Sequence, residues 1–578
     1  MSLHFIDFEV FKYDWLCVIA NPITQESKAI VNSTKSLTEY YEAHKDEIFI
    51  GYNIREYDSW IFKGILAGFN PYDINDFIIN KGHKGYQFSN VLKEYPLITY
   101  DLLQLNTSLK QLEAFQGHNI YESEVDFNIN RKLNEDELLE TISYCMNDVQ
   151  ETMDLFLRFK SGFDSRMELI NEFKLPLSYM SRTNSQVIAS ILEAQKYNCK
   201  DEFNLNFPEY LNRIKKYKHI VDWYRDESNR DYSKSLKVEV AGVPHIYAWG
   251  GLHGAKPKYY GEGYYLHIDV NSYYPSLMIT HNYYSRAIPE EGKEKFKRVY
   301  SENLRLKKYP EFKKKRAVYK LICNSTYGCF KDKYNSLYDP LMSNNICVTG
   351  QLALTLLIEM LEPYVELIQS NTDGLIVKLD KLDDYELVDD IAYEWEQLTG
   401  VKLGFDPIIT KIYQKDVNNY LFVDEFGGVE SKGAYVKNLN PTDNDLPVVN
   451  KALREYMINN TPIEDTINGA DKLLDFQKIV KLSSSYNHVE HNGSIYKNKC
   501  YRVFASKQPL DGMIYKCKSR TKKDKFANTP ENCFLENGDI TDTPVPEELN
   551  KNWYIELAYE RLRQFGVETY GDVINHYR

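Results

Sequence analysis

The chain has 578 residues, of which 43% are hydrophobic and 26% charged, with a formal net charge of -13. That length exceeds what one hydrophobic core supports, so three to five domains or subdomains are expected. Nine cysteines without a CxxC pair exclude a disulfide framework and a zinc knuckle, and no window approaches the ~18 uninterrupted apolar residues of a membrane span. The start, "MSLHFIDFEVFKYDW", lacks the basic, apolar and small-residue succession of a leader, so a cytoplasmic protein with no membrane partner is expected.

The first ~165 residues alternate short apolar runs ("LHFIDFEVF", "EIFIGYN", "YPLITYDLL") with helical patterns, as an α/β domain does. Within it, "DFE" places Asp7 and Glu9 on one face of a strand, because side chains alternate with period two. "NIREYD" supplies Asn53 and Asp58, and "YCMND" supplies Tyr144 and Asp148, four apart and so on one helical face. Residues 166–240 are polar and helix-like and read as a connecting region. A Gly-rich turn follows, "YAWGGLHGAKPKYY" with Gly250 and Gly251, and then the strand "GYYLHIDV", which ends near Asp269 and runs into Ser272, Tyr273 and Tyr274.

From about Glu290 to Tyr327 the pattern is helical but broken near "YPEF", which predicts two antiparallel helices. On the second, Arg316, Lys320 and Asn324 recur every four residues and share a face that can grip a triphosphate, with Tyr327 and Gly328 at its far end. "YVELIQSNTDGLIVKL" predicts a hairpin around Thr372, Asp373 and Gly374, since Asp-Gly is a favoured tight-turn pair. A carboxylate at that tip and another at the end of a neighbouring strand can converge although 104 positions separate Asp373 from Asp269. Two such acids can hold two Mg2+ ions, which prefer oxygen ligands and serve in-line phosphoryl displacement. Beyond ~435 the tail is expected to mix helix with basic loops. Net charge hides two basic segments: Arg305–Lys333 and Lys497–Lys525 each hold ten Lys or Arg against two acids, with interleaved Tyr and Phe of the kind that track a nucleic-acid backbone and stack on bases.

Taken together the motifs resemble those of family B DNA polymerases. "DVNSYYPS" looks like the DxxSLYPS motif, "KLICNSTYG" like KxxxNSxYG and "SNTDG" like DTDS, in the family's order. Upstream, the DxE, Nx3(F/Y)D and Yx3D patterns are similar to those of a DEDDy 3′-5′ exonuclease. The resemblance implies an α/β multi-domain chain: an RNase H-like exonuclease domain (1–165), the connecting region, a right-hand palm in two parts (241–289 and 329–435), fingers (290–328), and a thumb and C-terminal region (436–578). It implies that Asp269 and Asp373 bind two metals, that Arg316 and Lys320 hold the phosphates, and that Asn324, Tyr327 and Gly328 complete the nucleotide site. The backbone around Ser272 and Tyr273 receives the triphosphate, and Tyr274 lies under the sugar and excludes a 2′-hydroxyl. Asp7, Glu9, Asp58 and Asp148 hold a second metal pair, Tyr144 orients the attacking water and Asn53 positions a single-stranded 3′ end. Gly250, Gly251, Lys432 and Gly433 ("ESKGAY") correspond to DNA-contacting elements. Implied cofactors are Mg2+, two per site, with Mn2+ as the alternative; implied partners are primer-template DNA, dNTPs and single-stranded 3′ ends, met by a monomer in the cytoplasm, and the small size, short fingers and Asn- and Tyr-rich composition favour a phage or other virus, or a mobile element, as the source.

Some positions depart from the family pattern. Asn371 replaces the first acid of DTDS, which implies weaker metal affinity or an altered preference for Mn2+, and Gly374 replaces its serine. Only 50 positions separate Asp269 from Lys320 and 44 separate Gly328 from Asp373. Those intervals lack space for the insertions of protein-primed relatives, so a terminal priming protein is not expected. Tyr247 is displaced by one position in "YAWGG", and "NNY" (Asn418 to Tyr420) lacks the lysine of KxY. Two competing readings are an exonuclease with a degenerate polymerase module and a non-enzymatic DNA-binding protein.

Overall fold

In the computed structural model, which describes residues 2–24, 26–103, 107–440, 442–519 and 521–568, the alternating run at the N-terminus is strand β1 (Leu3–Val10). Arg520 of the second basic segment and the last ten residues of the region read as 436–578 lie outside the described residues. β1 is central in a five-stranded sheet with β2 (Trp15–Asn21), β3 (Glu26–Val31), β4 (Ile48–Gly51) and β5 (Thr99–Asp101), in the order β3-β2-β1-β4-β5. β1, β2 and β3 pair antiparallel, and β1, β4 and β5 parallel.

Both faces of β1 are covered. Ile6, Phe8 and Val10 share a core with Leu37 and Tyr41 of α1 (Thr34–His44) and with Ile61 and Phe62 of α2 (Asp58–Leu66). Phe5 shares another with residues of a later helix. Between them lies α3 (Leu109–Gln116), ended by Gly117 in the left-handed region at φ 85°, where a Cβ is disfavoured. That later helix, α4 (Glu135–Glu172), contributes Cys145, Val149 and Phe156 to the Phe5 core. The period-two alternation therefore turns Asp7 and Glu9, in step with Phe5, toward α4.

The boundary expected at 165 falls inside α4. The helix continues because Phe163, Leu169 and Ile170 keep its buried stripe going to Glu172, and the compact unit extends over Met1–Thr183, joined by Asn440–Pro447 and Asp471–Asn550.

The second unit comprises Asn184–Leu439, Val448–Ala470 and Lys551–Arg578. It holds a ten-stranded sheet of β6 (Leu236–Val240), β7 (Val243–Tyr247), β8 (His253–Ala255), β9 (Tyr259–Val270), β10 (Glu366–Ser370), β11 (Gly374–Leu379), β12 (Leu403–Phe405), β13 (Ile409–Asp416), β14 (Asn419–Asp424) and β15 (Val429–Lys432). The order is β15-β14-β13-β9-β11-β10-β8-β7-β6, with β12 also on β9. Helix α5 (Tyr273–Thr280) follows β9 directly. The two expected helices are α6 (Glu290–Leu306) and α7 (Lys313–Cys329), separated by a 3-10 turn at Pro310–Phe312, the site of "YPEF". Helix α8 (Pro340–Leu361) is long and apolar enough to cross a bilayer, yet it is almost wholly buried as the core helix of its unit.

The tail departs from the expectation of helix and basic loops. Among the described residues seven short strands occupy it: β16 (Lys478–Lys481), β17 (His488–His491), β18 (Ser494–Tyr496), β19 (Cys500–Ala505), β20 (Ile514–Cys517), β21 (Lys523–Lys525) and β22 (Cys533–Leu535). They form sheets β16-β19-β22 and β18-β17-β20-β21 within the first unit. Buried Arg502 of β19 donates to the carbonyls of Glu113, Ala114 and His118 at the end of α3, which anchors these strands there. The block read as 436–578 is thus divided between the two units.

Candidate active sites

In the first unit four carboxylates meet. Asp7 and Glu9 come from β1, Asp58 is the first residue of α2 with its Oδ1 accepting from the Phe8 N–H at 3.2 Å, and Asp148 comes from α4. Burial pushes the Asp7 carboxyl well above its ordinary range, and Asp58, Glu9 and Asp148 push it further. Burial does the same to Glu9, followed by the fields of Asp148 and Asp58, and burial raises Asp58 to about 7. Asp148 is raised by burial although the Lys110 ammonium opposes the shift. The Cys145 thiol donates to Asp7 Oδ2 at 3.4 Å.

These acids line a cavity of about 720 Å3 together with Asn53, Tyr57 and Phe127. Four like charges with one nearby ammonium repel one another unless protons or cations intervene. The donor set is all oxygen, as hard divalent cations require. Tyr144 stands one helical turn before Asp148, and burial with the neighbouring Asp148 raises its hydroxyl pKa, keeping it a neutral donor. Asn53 sits at φ 64° in a loop whose N–H groups at Asn53 and Arg55 donate to Asp101 at 3.0 and 3.1 Å. Sequence reading missed Asp101 and Lys110. Lys110 pairs with Asp148 at 2.6 Å and Glu113 at 2.9 Å and lies 4.7 Å from the Tyr144 ring centroid. The Lys110–Glu113 spacing hints at an ion pair, but nothing local announces Asp148.

In the second unit Asp269 and Asp373 do meet. β9 and β11 pair antiparallel with Gly374 opposite Asp269, and the Val270 N–H donates to the Asp373 carbonyl at 2.7 Å. Burial and then the Asp373 charge raise Asp269 to about 6, while His267 and Lys307 pull it down. Asn371 belongs to the turn itself: its N–H donates to the Gly374 carbonyl at 2.8 Å, and its side-chain oxygen accepts from the Thr372 N–H at 2.9 Å. Gly251 underlies this turn, since a Cβ there would lie 2.5 Å from Thr372 Oγ1. His267, two residues before Asp269 and on the same face, pairs with Asp406 at 2.8 Å; neither it nor Lys307 was expected from sequence.

Ser272 enters α5 at φ 49°. Tyr273 is buried, its hydroxyl donating to the Gly350 carbonyl at 2.7 Å, which leaves only its backbone for a ligand. The Tyr274 ring lies 4.4 Å from that of Tyr327, so α7 is brought against α5, the helix that follows the strand carrying Asp269. Lys320, Asn324 and Gly328 are exposed along α7, and Arg316 is half-buried with its Nε unpartnered. Among the described residues no hydrogen bond or ion pair links Arg316, Lys320 or Asn324 to either acid. A Cβ on half-buried Gly250 would meet nothing within 4 Å, and its carbonyl accepts from Gln351 Nε2 at 2.8 Å. Gly433, at φ 95°, packs on Asn418 and Asn419, and Lys432 pairs with Tyr420, so "ESKGAY" and "NNY" are neighbours.

The glycine of "NTDG" has a steric reason. A Cβ at position 374 would lie 2.7 Å from the Ile268 carbonyl oxygen and 3.2 Å from His267 Nε2. Gly374→Ser should therefore force β11 off β9 and cost about 1–3 kcal/mol, read as a lower midpoint of thermal unfolding; an unchanged midpoint would show that the ladder yields freely.

No family model matches the chain, and no curated protein matches it significantly. Among solved structures, the family B DNA polymerase from the hyperthermophilic archaeon Pyrobaculum calidifontis is similar with a TM-score of 0.43 and 12% identity, covering 98% of this chain and 79% of that one, a likeness too distant to support any argument.

Proposed function

We propose that the chain is a DNA-directed DNA polymerase with a 3′-5′ exonuclease in its other unit. The observation that carries this reading is the meeting of Asp269 and Asp373 across β9 and β11, beside a Tyr274–Tyr327 pair. Their mutual repulsion calls for cations. Two divalent ions, Mg2+ or Mn2+, held by Asp269 and Asp373 would offset charge on the attacking and leaving oxygens of a nucleotidyl transfer.

The chain's own residues do the rest. The left-handed entry at Ser272 presents backbone N–H groups at the start of α5 to a triphosphate. Arg316 and Lys320, once α7 closes on the nucleotide, offset charge on the leaving pyrophosphate. Tyr274, fixed by Tyr327, occupies the space a 2′-hydroxyl would need. In the first unit Asp7, Glu9, Asp58 and Asp148 provide a second oxygen site for a metal pair. Tyr144, whose hydroxyl donates to Asp148, would turn to orient the attacking water, Lys110 holds Asp148, and Tyr57 and Phe127 flank a single-stranded 3′ end in the cavity.

The test is extension of a labelled primer on DNA templates of different sequence with Mg2+ or Mn2+. Addition of the dNTP complementary to each template base, with little use of ribonucleotides, is expected, and 3′-end degradation is expected when dNTPs are withheld. The Asn371 amide, where the family pattern has an acid, favours the second reading, an exonuclease beside a decayed polymerase module. Degradation without extension under either metal would establish that reading instead.

A further inference from the structure

A second kind of metal site lies in the first unit, among His4, His44 and Glu47. His4 is on β1, His44 is the last residue of α1, and Glu47 follows in the turn before β4. That turn is closed by the Glu47 N–H donating to the His44 carbonyl at 2.9 Å. Both imidazoles converge on one oxygen: His4 Nε2 is 2.6 Å and His44 Nδ1 2.8 Å from Glu47 Oε2. All three donor atoms lie within 4.8 Å of one another.

The support around them is already built. The His4 ring is fully buried, and its other nitrogen is engaged by the Tyr40 hydroxyl at 2.7 Å, which fixes the ring and leaves Nε2 aimed at the cluster. Such an outer partner on the second ring nitrogen is the usual companion of a ligating histidine. Side-chain exposures of 32% for His44 and 30% for Glu47 leave one side open to water.

We propose that His4 Nε2, His44 Nδ1 and a Glu47 carboxylate oxygen bind a borderline transition cation of the Zn2+ type, with water in the fourth position. Two imidazoles and one carboxylate suit that class, whereas Mg2+ prefers an all-oxygen set. Metal–ligand bonds of about 2.0–2.1 Å place tetrahedral donors roughly 3.3 Å apart. The present separations of 2.6 and 2.8 Å need to widen by about 0.5–0.7 Å, within reach of the rotatable Glu47 side chain. Coordination needs no net proton release from His4: its proton moves from Nε2 to Nδ1, and the Tyr40 hydroxyl changes from donor to acceptor. The cation would clip the start of β1, three residues before Asp7, to the α1–β4 turn.

The test uses the full chain, stripped of metal and then given Zn2+ or Co2+ in excess Mg2+, which keeps the carboxylate sites occupied. One Zn2+ retained per chain, a higher unfolding midpoint with Zn2+, and the visible bands of four- or five-coordinate Co2+ are expected. His44→Ala and, separately, Glu47→Gln should weaken Zn2+ at least about 100-fold and remove the bands, while the double variant Asp7→Asn, Glu9→Gln should keep them. Bands that survive His44→Ala, or a parent protein that takes up neither ion, would overturn the site and leave the trio as a hydrogen-bonded network. Neither result depends on polymerase or exonuclease activity.

Discussion

Asp373→Asn and Asp269→Asn should each lower primer extension by about three orders of magnitude, or ~4 kcal/mol of barrier, and leave 3′-end degradation within a factor of about two. The two acids lie on neighbouring strands, Asp269 opposite Gly374 and Asp373 just before it. The Asp373 charge raises the proton affinity of Asp269, and only a cation shared between them removes that penalty. An amide keeps the shape and the Val270–Asp373 backbone bond but withdraws one ligand charge. Asp373 is exposed and Asp269 partly so, which means that neither substitution opens a cavity. Unchanged thermal unfolding would show that the loss is chemical. Equal loss of both activities in either variant would refute the assignment of extension to this unit.

How much of this was readable in the sequence depends on whether the signal is local. The period-two run through Asp7 and Glu9 and the break at "YPEF" are written within a few residues and appear where expected, and the hairpin forms too, although its tip is Thr372-Asp373 and Gly374 already opens β11. Convergence of Asp269 and Asp373 then follows from strand pairing. Groups whose partners are distant were not readable: Lys110 is 38 positions from Asp148, and His267 is 139 from Asp406. The extension of α4 past 165 was hidden by the polar surface of an amphipathic helix, whose buried residues are spaced rather than continuous. In the tail a local signal was present and passed over. "HVEHNGSIY" contains Asn492-Gly493 at φ 49° and 77°, the backbone of a two-residue hairpin turn between β17 and β18. Basic residues on the short strands made the region look like loops.

Asp7→Asn combined with Glu9→Gln should abolish 3′-end degradation, again by about three orders of magnitude, and at the same time make the metal-free protein more stable at neutral pH. The sign follows from linkage. Asp58 titrates near 7 in the fold against 3.8 in the unfolded chain, and Asp7 and Glu9 are raised as well. Between about pH 4 and 7 the folded protein therefore binds more protons than the unfolded one, so metal-free stability falls as pH rises through that window. Below it the acids are neutral and the penalty is absent. Removing two of the four charges lessens repulsion on Asp58 and Asp148, so the variant should show a flatter fall and an unfolding midpoint at pH 7.5 several degrees above the parent, in keeping with about 2–4 °C per kcal/mol for a domain of this size. Mg2+ should raise the midpoint of the parent and flatten its pH dependence, and both effects should be much smaller in the variant, whose intact carboxylate pair is Asp269 and Asp373. A parent whose metal-free stability rises from pH 5 to 7 would mean that the carboxylates are not crowded together without water between them, and the account of this cavity as a cation site would fall with that result.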